Sequence, residues 1–125
     1  MRSTRLFLAL AIATGLALSF PGSASAHATL VKAVPAVGGV VTASPSEIHI
    51  TYSEAVEPRF SGIELKAADG HAVATGTASV DPNDHATLIV PLKSALPPGT
   101  YKVTWHAVSV DTHRTQGSFS FEVKP

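Results

Sequence analysis

The 125-residue chain contains no cysteine, one tryptophan and one methionine, and that methionine is Met1. The absence of cysteine excludes disulfide bonds, cysteine-ligated metal sites and a cysteine nucleophile. The fold must therefore be held together by its core alone, which about 100 residues can do as one domain. The lack of any further methionine excludes a metal site built from soft thioether ligands.

An excess of charge of one sign is also lacking. After residue 26 the chain has seven basic and nine acidic residues, a formal charge of −2. It has no basic stripe that could follow a phosphate backbone, so nucleic acid is not an expected partner. No segment after residue 26 is apolar enough to span a membrane. Because a Gly-x-Ser-x-Gly elbow and a phosphate-binding loop are both missing, we do not expect a hydrolytic enzyme.

The first 26 residues have the pattern of a cleaved signal peptide. Two arginines precede an apolar run from Leu6 to Phe20, and the small residues Ala24-Ser25-Ala26 form a cleavage site. The run is shorter than the roughly 20 residues of a membrane span, so an uncleaved anchor is the less favoured alternative. We predict export, with cleavage after Ala26 and a mature domain of residues 27–125 that begins at His27.

The pattern after His27 predicts strands throughout and no helix. Apolar side chains alternate with polar ones, most clearly at Ile48, Ile50 and Tyr52, and Asp69-Gly70 predicts a hairpin turn. About seven strands at this spacing predict one all-β domain, a Greek-key, immunoglobulin-like β-sandwich or barrel. The predicted strands are Leu30–Val34, Glu47–Ser53, Gly62–Lys66, Ala72–Thr77, Ala86–Pro91, Thr100–Val110 and Gly117–Val123.

A histidine at a processed N-terminus is an unusual metal ligand. The α-amine and imidazole of His27 can close one chelate ring, and a metal can displace the proton of an amine that titrates near pH 8. Two equatorial positions of a tetragonal Cu(II) site then remain. Asp111 and His113 can fill them, because residues i and i+2 of an extended segment face the same side. Tetrahedral Zn(II) is the competing metal. The alternative without a metal is that both are solvated turn residues.

Short segments of the mature chain, taken in order, carry a family resemblance. They are His27 to Leu30 with Pro35-Ala36 and Gly38, Ile50 to Glu54, Pro98 to Trp105, Ser109 to His113, Gly117 to Phe119 and Phe121 to Val123. Their order and spacing resemble the CopC family of periplasmic copper-resistance and copper-homeostasis proteins. The resemblance covers essentially the whole mature chain and begins directly after the predicted cleavage site.

The resemblance implies a small β-barrel-like sandwich with a Cu(II) site at one end. His27 matches the N-terminal ligand of the family, and Asp111 and His113 match the remaining ligand pair. Glu54 matches an acidic residue close to the metal, where a carboxylate can orient a ligand or a bound water. Some members carry a second, Cu(I) site in a methionine-rich loop, and this chain resembles the Cu(II)-only kind. Whether His71 or His85 adds a weak second site is left open.

The leading hypothesis is therefore a periplasmic protein that binds one Cu(II) ion for copper homeostasis or resistance and is not an enzyme. It would sequester copper or deliver it to a CopD-like membrane importer or to another periplasmic copper protein.

Two alternatives come from other functional classes. Lytic polysaccharide monooxygenases are copper-dependent oxidative enzymes that also use an N-terminal histidine, with a second histidine, on a β-sandwich. Against that function, about 100 residues leave little for a substrate-binding face, and an equatorial aspartate favours Cu(II) over its reduction. The other alternative is a metal-free immunoglobulin-like adhesion or scaffold module whose histidines are incidental.

Overall fold

The computed structural model describes residues 27–125, and the predicted signal peptide lies outside the described residues. These residues form one short 3₁₀ helix, Pro58–Phe60, and nine strands: β1 (Leu30–Val34), β2 (Val40–Val41), β3 (Glu47–Tyr52), β4 (Gly62–Ala67), β5 (Ala72–Val73), β6 (Ser79–Asp81), β7 (Asp84–Pro91), β8 (Gly99–Val108) and β9 (Arg114–Val123). None of the helical structure in this part of the chain is long and apolar enough to cross a membrane.

The strands form two sheets that enclose one core. The four-stranded sheet has the order β1-β3-β7-β6, and the five-stranded sheet has the order β2-β9-β8-β4-β5. Inward-facing side chains alternate along the long strands as predicted, because successive residues of a strand point to opposite faces. The buried members include Ile48, Ile50 and Tyr52 of β3, Tyr101, Val103, Trp105 and Ala107 of β8, and Phe119, Phe121 and Val123 of β9. The predicted all-β sandwich is confirmed.

The differences from the predicted strands lie in the short elements and at the ends of the longer strands. Strands β2 and β6 were not predicted, since two or three residues are too few to show an alternating pattern. The prediction that a strand runs through Thr77 is wrong, because β5 ends at Val73. Beyond it, the Gly76 amide donates to the carbonyl of Pro91 at 2.7 Å, so the chain has already moved to the other sheet. The predicted Asp-Gly hairpin does join β4 to β5.

One close approach in the core depends on a glycine. A Cβ at Gly117 would lie 2.7 Å from Cζ2 of Trp105, whose ring packs edge-on against Tyr52 with centroids 5.3 Å apart. We expect Gly117→Ala to lower the free energy of unfolding by about 1–3 kcal/mol, because a rigid indole must move. Urea unfolding measures this. The matched control is Gly62→Ala, where the nearest atom is 3.4 Å away; equal stability losses in both variants would contradict the steric explanation.

Candidate metal centre

Three segments meet at one end of the sandwich. The N-terminal segment, residues 27–29, lies beside the end of β3, where the Ser53 amide donates to the carbonyl of Thr29 at 2.8 Å. The segment that follows β3 contacts the β8–β9 turn through a bridge between Val56 and Ser109. The N-terminal segment, the segment after β3 and the turn between β8 and β9 of the other sheet therefore come together here.

The β8–β9 turn, residues 109–113, is closed by its own backbone. The Ser109 amide donates to the carbonyl of His113 at 3.0 Å, and the Thr112 amide donates to the carbonyl of Ser109 at 2.7 Å. Thr112 has a φ of 75°, which is rare for a β-branched residue. The prediction that a strand extends to Val110 is wrong, because β8 ends at Val108. Asp111 and His113 are close because of this turn and not because they share a strand face.

Asp111 is held by hydrogen bonds within the turn. The hydroxyl of Ser109, a fully buried residue, donates to Oδ1 of Asp111. The same oxygen accepts from the amide of His113 at 3.3 Å and lies 3.4 Å from its Nδ1. The hydrogen bond from Ser109, followed by the contacts with His113, lowers the pKa of Asp111 below its ordinary value. Its side chain is therefore an ionised carboxylate at neutral pH, as a metal ligand must be.

His27 lies directly beside His113. The centroids of the two imidazole rings are 4.8 Å apart, and the rings meet edge to face at 77°. Both residues are exposed to solvent. Two of the three predicted ligands, one in the N-terminal segment and one in the β8–β9 turn, are thus neighbours in space.

The arrangement is not a complete metal shell. Within residues 27–125 no three His, Asp or Glu side chains are grouped so that they could hold a metal ion. Glu54 is part-buried and makes no hydrogen bond or ion pair with any described residue. The nitrogen of His27 is an amide while Ala26 precedes it. The ligand set of His27, Asp111 and His113, and the role of Glu54, therefore stay predictions.

Among the other histidines, His85 contacts the segment after β3, where its carbonyl accepts from the amide of Val56 at 3.1 Å. His71 is in the β4–β5 turn, where its Nδ1 lies 2.7 Å from Oδ1 of Asp69. His49 contacts Glu47 at 2.7 Å. His49 and His106 are both half-buried, and burial lowers the pKa of His106. In the described part of the chain none of them belongs to a group of three potential ligands, so a second metal site is not apparent.

Three hydroxyl residues near the centre were missed by the sequence reasoning. Ser109 bonds to Asp111, Thr115 donates from Oγ1 to the carbonyl of Ala28 at 2.6 Å, and Ser53 Oγ accepts from the amide of Thr29 at 2.9 Å. The available signal was position alone, since Ser109 and Thr115 each lie two residues from a predicted ligand. Serine and threonine are too common in strands and turns for that position to single them out.

Comparisons with known proteins agree with this architecture. The family model described as "CopC domain" matches residues 30–124. Protein YobA of Escherichia coli K12 is 44% identical over 99 residues, which are 79% of this chain and 80% of YobA. Copper resistance protein C of Escherichia coli is 37% identical over 116 residues, 88% of this chain and 91% of that protein. Copper transport protein CutJ of Bacillus subtilis is 31% identical over 103 residues, 82% of this chain and 19% of CutJ.

Two solved structures have the same fold. CopC from Methylosinus trichosporium OB3b superimposes with a TM-score of 0.74 at 29% identity, covering 79% of this chain and 95% of that one. PcoC, a methionine-rich copper resistance protein from Escherichia coli, gives a TM-score of 0.71 at 33% identity, covering 78% of this chain and 99% of PcoC. Sequence and structure lead to the same assignment: the chain belongs to the CopC family of copper-resistance proteins.

Proposed function

We propose that the chain is an exported periplasmic protein that loses residues 1–26 and binds one Cu(II) ion at the end where its N-terminal segment meets the β8–β9 turn. The observation that carries this proposal is the 4.8 Å separation of the His27 and His113 rings. Oδ1 of Asp111, which accepts from the hydroxyl of Ser109, lies 3.4 Å from Nδ1 of His113.

Each ligand has a defined role in the proposed site. Cleavage after Ala26 frees the amine of His27, and the amine and imidazole then bind as one chelate. The imidazole of His113 and the carboxylate of Asp111 complete a tetragonal plane, which requires a modest rotation of side chains that already lie within a few ångströms of one another. Binding releases the proton of the amine, so affinity for the metal falls as the pH drops below about 8.

The ligand types favour Cu(II) over the other metals considered. Nitrogen and carboxylate donors suit Cu(II), and no thioether exists in residues 27–125 to favour Cu(I). Zn(II) accepts the same donors but prefers a tetrahedral arrangement. We assign Glu54 to a place beside the metal, where its carboxylate would orient a bound water or a ligand.

The biological role that we propose is copper homeostasis or resistance, through sequestration or delivery. CutJ, in which a segment like this chain makes up 19% of a longer protein, is named as a copper transport protein, and this supports delivery. The recipient would be a CopD-like membrane importer or another periplasmic copper protein. The relatives whose names state a role are copper resistance and copper transport proteins, which does not favour an oxidative enzyme. We propose that the protein binds copper without catalysing a reaction.

A metal titration of the processed protein tests this proposal. Protein purified from the periplasm should have the mass of residues 27–125 and bind one equivalent of Cu(II), with an electron paramagnetic resonance spectrum of a tetragonal site containing nitrogen donors. An equal concentration of Zn(II) should not displace it. The absence of stoichiometric Cu(II) binding would instead favour a metal-free module. Oxidised oligosaccharides formed from chitin or cellulose with a reductant would favour an oxidative enzyme.

A further inference from the structure

The segment that carries His27 precedes the first strand. β1 begins at Leu30, and its pairing with β3 shifts register between Leu30 and Lys32. A regular strand ladder therefore does not extend to His27. Terminal residues of a domain are generally mobile unless specific contacts hold them. The proposed copper site uses the α-amine and the imidazole of His27. The contacts that order residues 27–29 therefore decide how well the site is formed before the metal binds.

Two groups of hydrogen bonds hold this segment, one from each sheet. On the side of the four-stranded sheet, Ser53 Oγ accepts from the amide of Thr29 at 2.9 Å, and the Ser53 amide donates to the Thr29 carbonyl at 2.8 Å. On the side of the five-stranded sheet, Thr115 Oγ1 donates to the carbonyl of Ala28 at 2.6 Å. Ala28 itself is fully buried, so its carbonyl has little access to replacement donors from solvent.

The bond from Thr115 has a special position. Thr115 lies in β9 two residues after His113, and its acceptor, Ala28, directly follows His27. One side chain therefore ties together the backbones that carry the two neighbouring histidines. The bond joins residues 87 positions apart in the chain. Local sequence does not provide such a link, which adds to the bond that the Ser53 hydroxyl donates to the carbonyl of His27 at 3.4 Å.

We propose that Thr115 is a positioning residue for copper binding, an inference that rests on the function proposed above. It does not touch the metal. Its hydroxyl holds residue 28 so that the amine and imidazole of His27 are already beside His113. Ordering a ligand before binding removes an entropic cost from the binding step. Loss of a hydrogen-bonding partner behind a metal ligand typically weakens metal affinity by about 10- to 100-fold.

The test compares three substitutions in the processed protein. Thr115→Val keeps the β-branched shape but removes the hydroxyl, and we expect about tenfold weaker Cu(II) binding by chelator competition. Thr115→Ser keeps the hydroxyl and should restore affinity to within about twofold of the starting protein. The remaining difference in affinity would reflect the lost methyl group. The matched control is Thr104→Val, in an exposed position of β8 with no side-chain hydrogen bond among the described residues, where no change is expected.

A second readout separates positioning from a general loss of stability. In the metal-free protein, heteronuclear NOE values at the amides of residues 28 and 29 should fall in Thr115→Val and recover in Thr115→Ser, while the β-strand amides stay rigid. If Thr115→Val does not fold, Ser53→Ala removes the support from the other sheet and should likewise weaken binding and mobilise the segment.

The outcomes distinguish this inference from the proposed function. If Thr115→Val binds Cu(II) as tightly as the starting protein while His27→Ala does not bind, the positioning role is wrong and the copper site stands. If His27→Ala also binds normally, the proposed site itself is wrong, and the role of Thr115 fails with it. Equal losses in Thr115→Val and Thr115→Ser would show that the hydroxyl is not responsible, and would overturn the inference as well.

Discussion

Replacing His27 with alanine is expected to abolish tight Cu(II) binding by the processed protein. The substitution removes the imidazole donor and leaves the α-amine without its partner in the chelate ring. Two of the four proposed donors are therefore affected at once. The loss should exceed the roughly 10- to 100-fold that removing a hydrogen-bond partner behind a ligand costs. Chelator competition measures the affinity, and electron paramagnetic resonance should show the loss of the tetragonal nitrogen-bound signal.

The matched control for this substitution is His71→Ala. His71 lies in the turn next to Ala67, which pairs with Tyr101 near the start of β8, whereas the candidate centre follows the end of that strand. Its removal should leave the affinity and the stoichiometry of one unchanged. Tight binding by His27→Ala, or equal losses in the two variants, would mean that copper is held elsewhere.

An extra alanine in front of His27 is expected to weaken Cu(II) binding nearly as much as removal of the histidine. The added residue converts the amine of His27 into an amide nitrogen, which does not lose its proton at neutral pH as an amine does. All side chains stay in place, so the variant isolates the contribution of the amine. Intact mass must confirm the extra residue, and chelator competition then measures the affinity.

The control for the extension places the same alanine after Pro125, at the other terminus. Its affinity should match that of the processed protein. If the N-terminal extension binds Cu(II) normally, His27 acts through its imidazole alone, and the predicted dependence on cleavage after Ala26 is wrong.

The fold was largely predictable because its long strands carry their own signal. In β3 and β8 the alternation of apolar and polar residues follows directly from the two-residue repeat of a strand, and the buried side chains are the predicted ones. The short strands β2 and β6 are defined by their pairing with the longer strands β9 and β7. β2 pairs with β9 over two residues and in parallel, an arrangement that no local pattern of Val40 and Val41 specifies.

The ligand set of His27, Asp111 and His113 stays a prediction, and the geometric reason given for Asp111 and His113 was partly wrong. A closed turn and not an extended strand brings these two residues together. The turn also has a left-handed backbone at Thr112 and a hydrogen bond from Ser109 to Asp111. A threonine in a sequence does not predict a left-handed backbone, and a serine does not predict a particular hydrogen-bond partner.

For this protein the sequence by itself determined the strand faces, the absence of sulfur ligands, the membership of the CopC family and the candidate donors. These properties depend on residue type and local spacing, which can be read directly from the amino-acid sequence. Only the tertiary structure decided that His27 lies 4.8 Å from His113, and that Thr115 reaches the residue after His27. Those contacts join residues more than 80 positions apart, and they arise where two sheets pack against each other, a relation that no local pattern encodes.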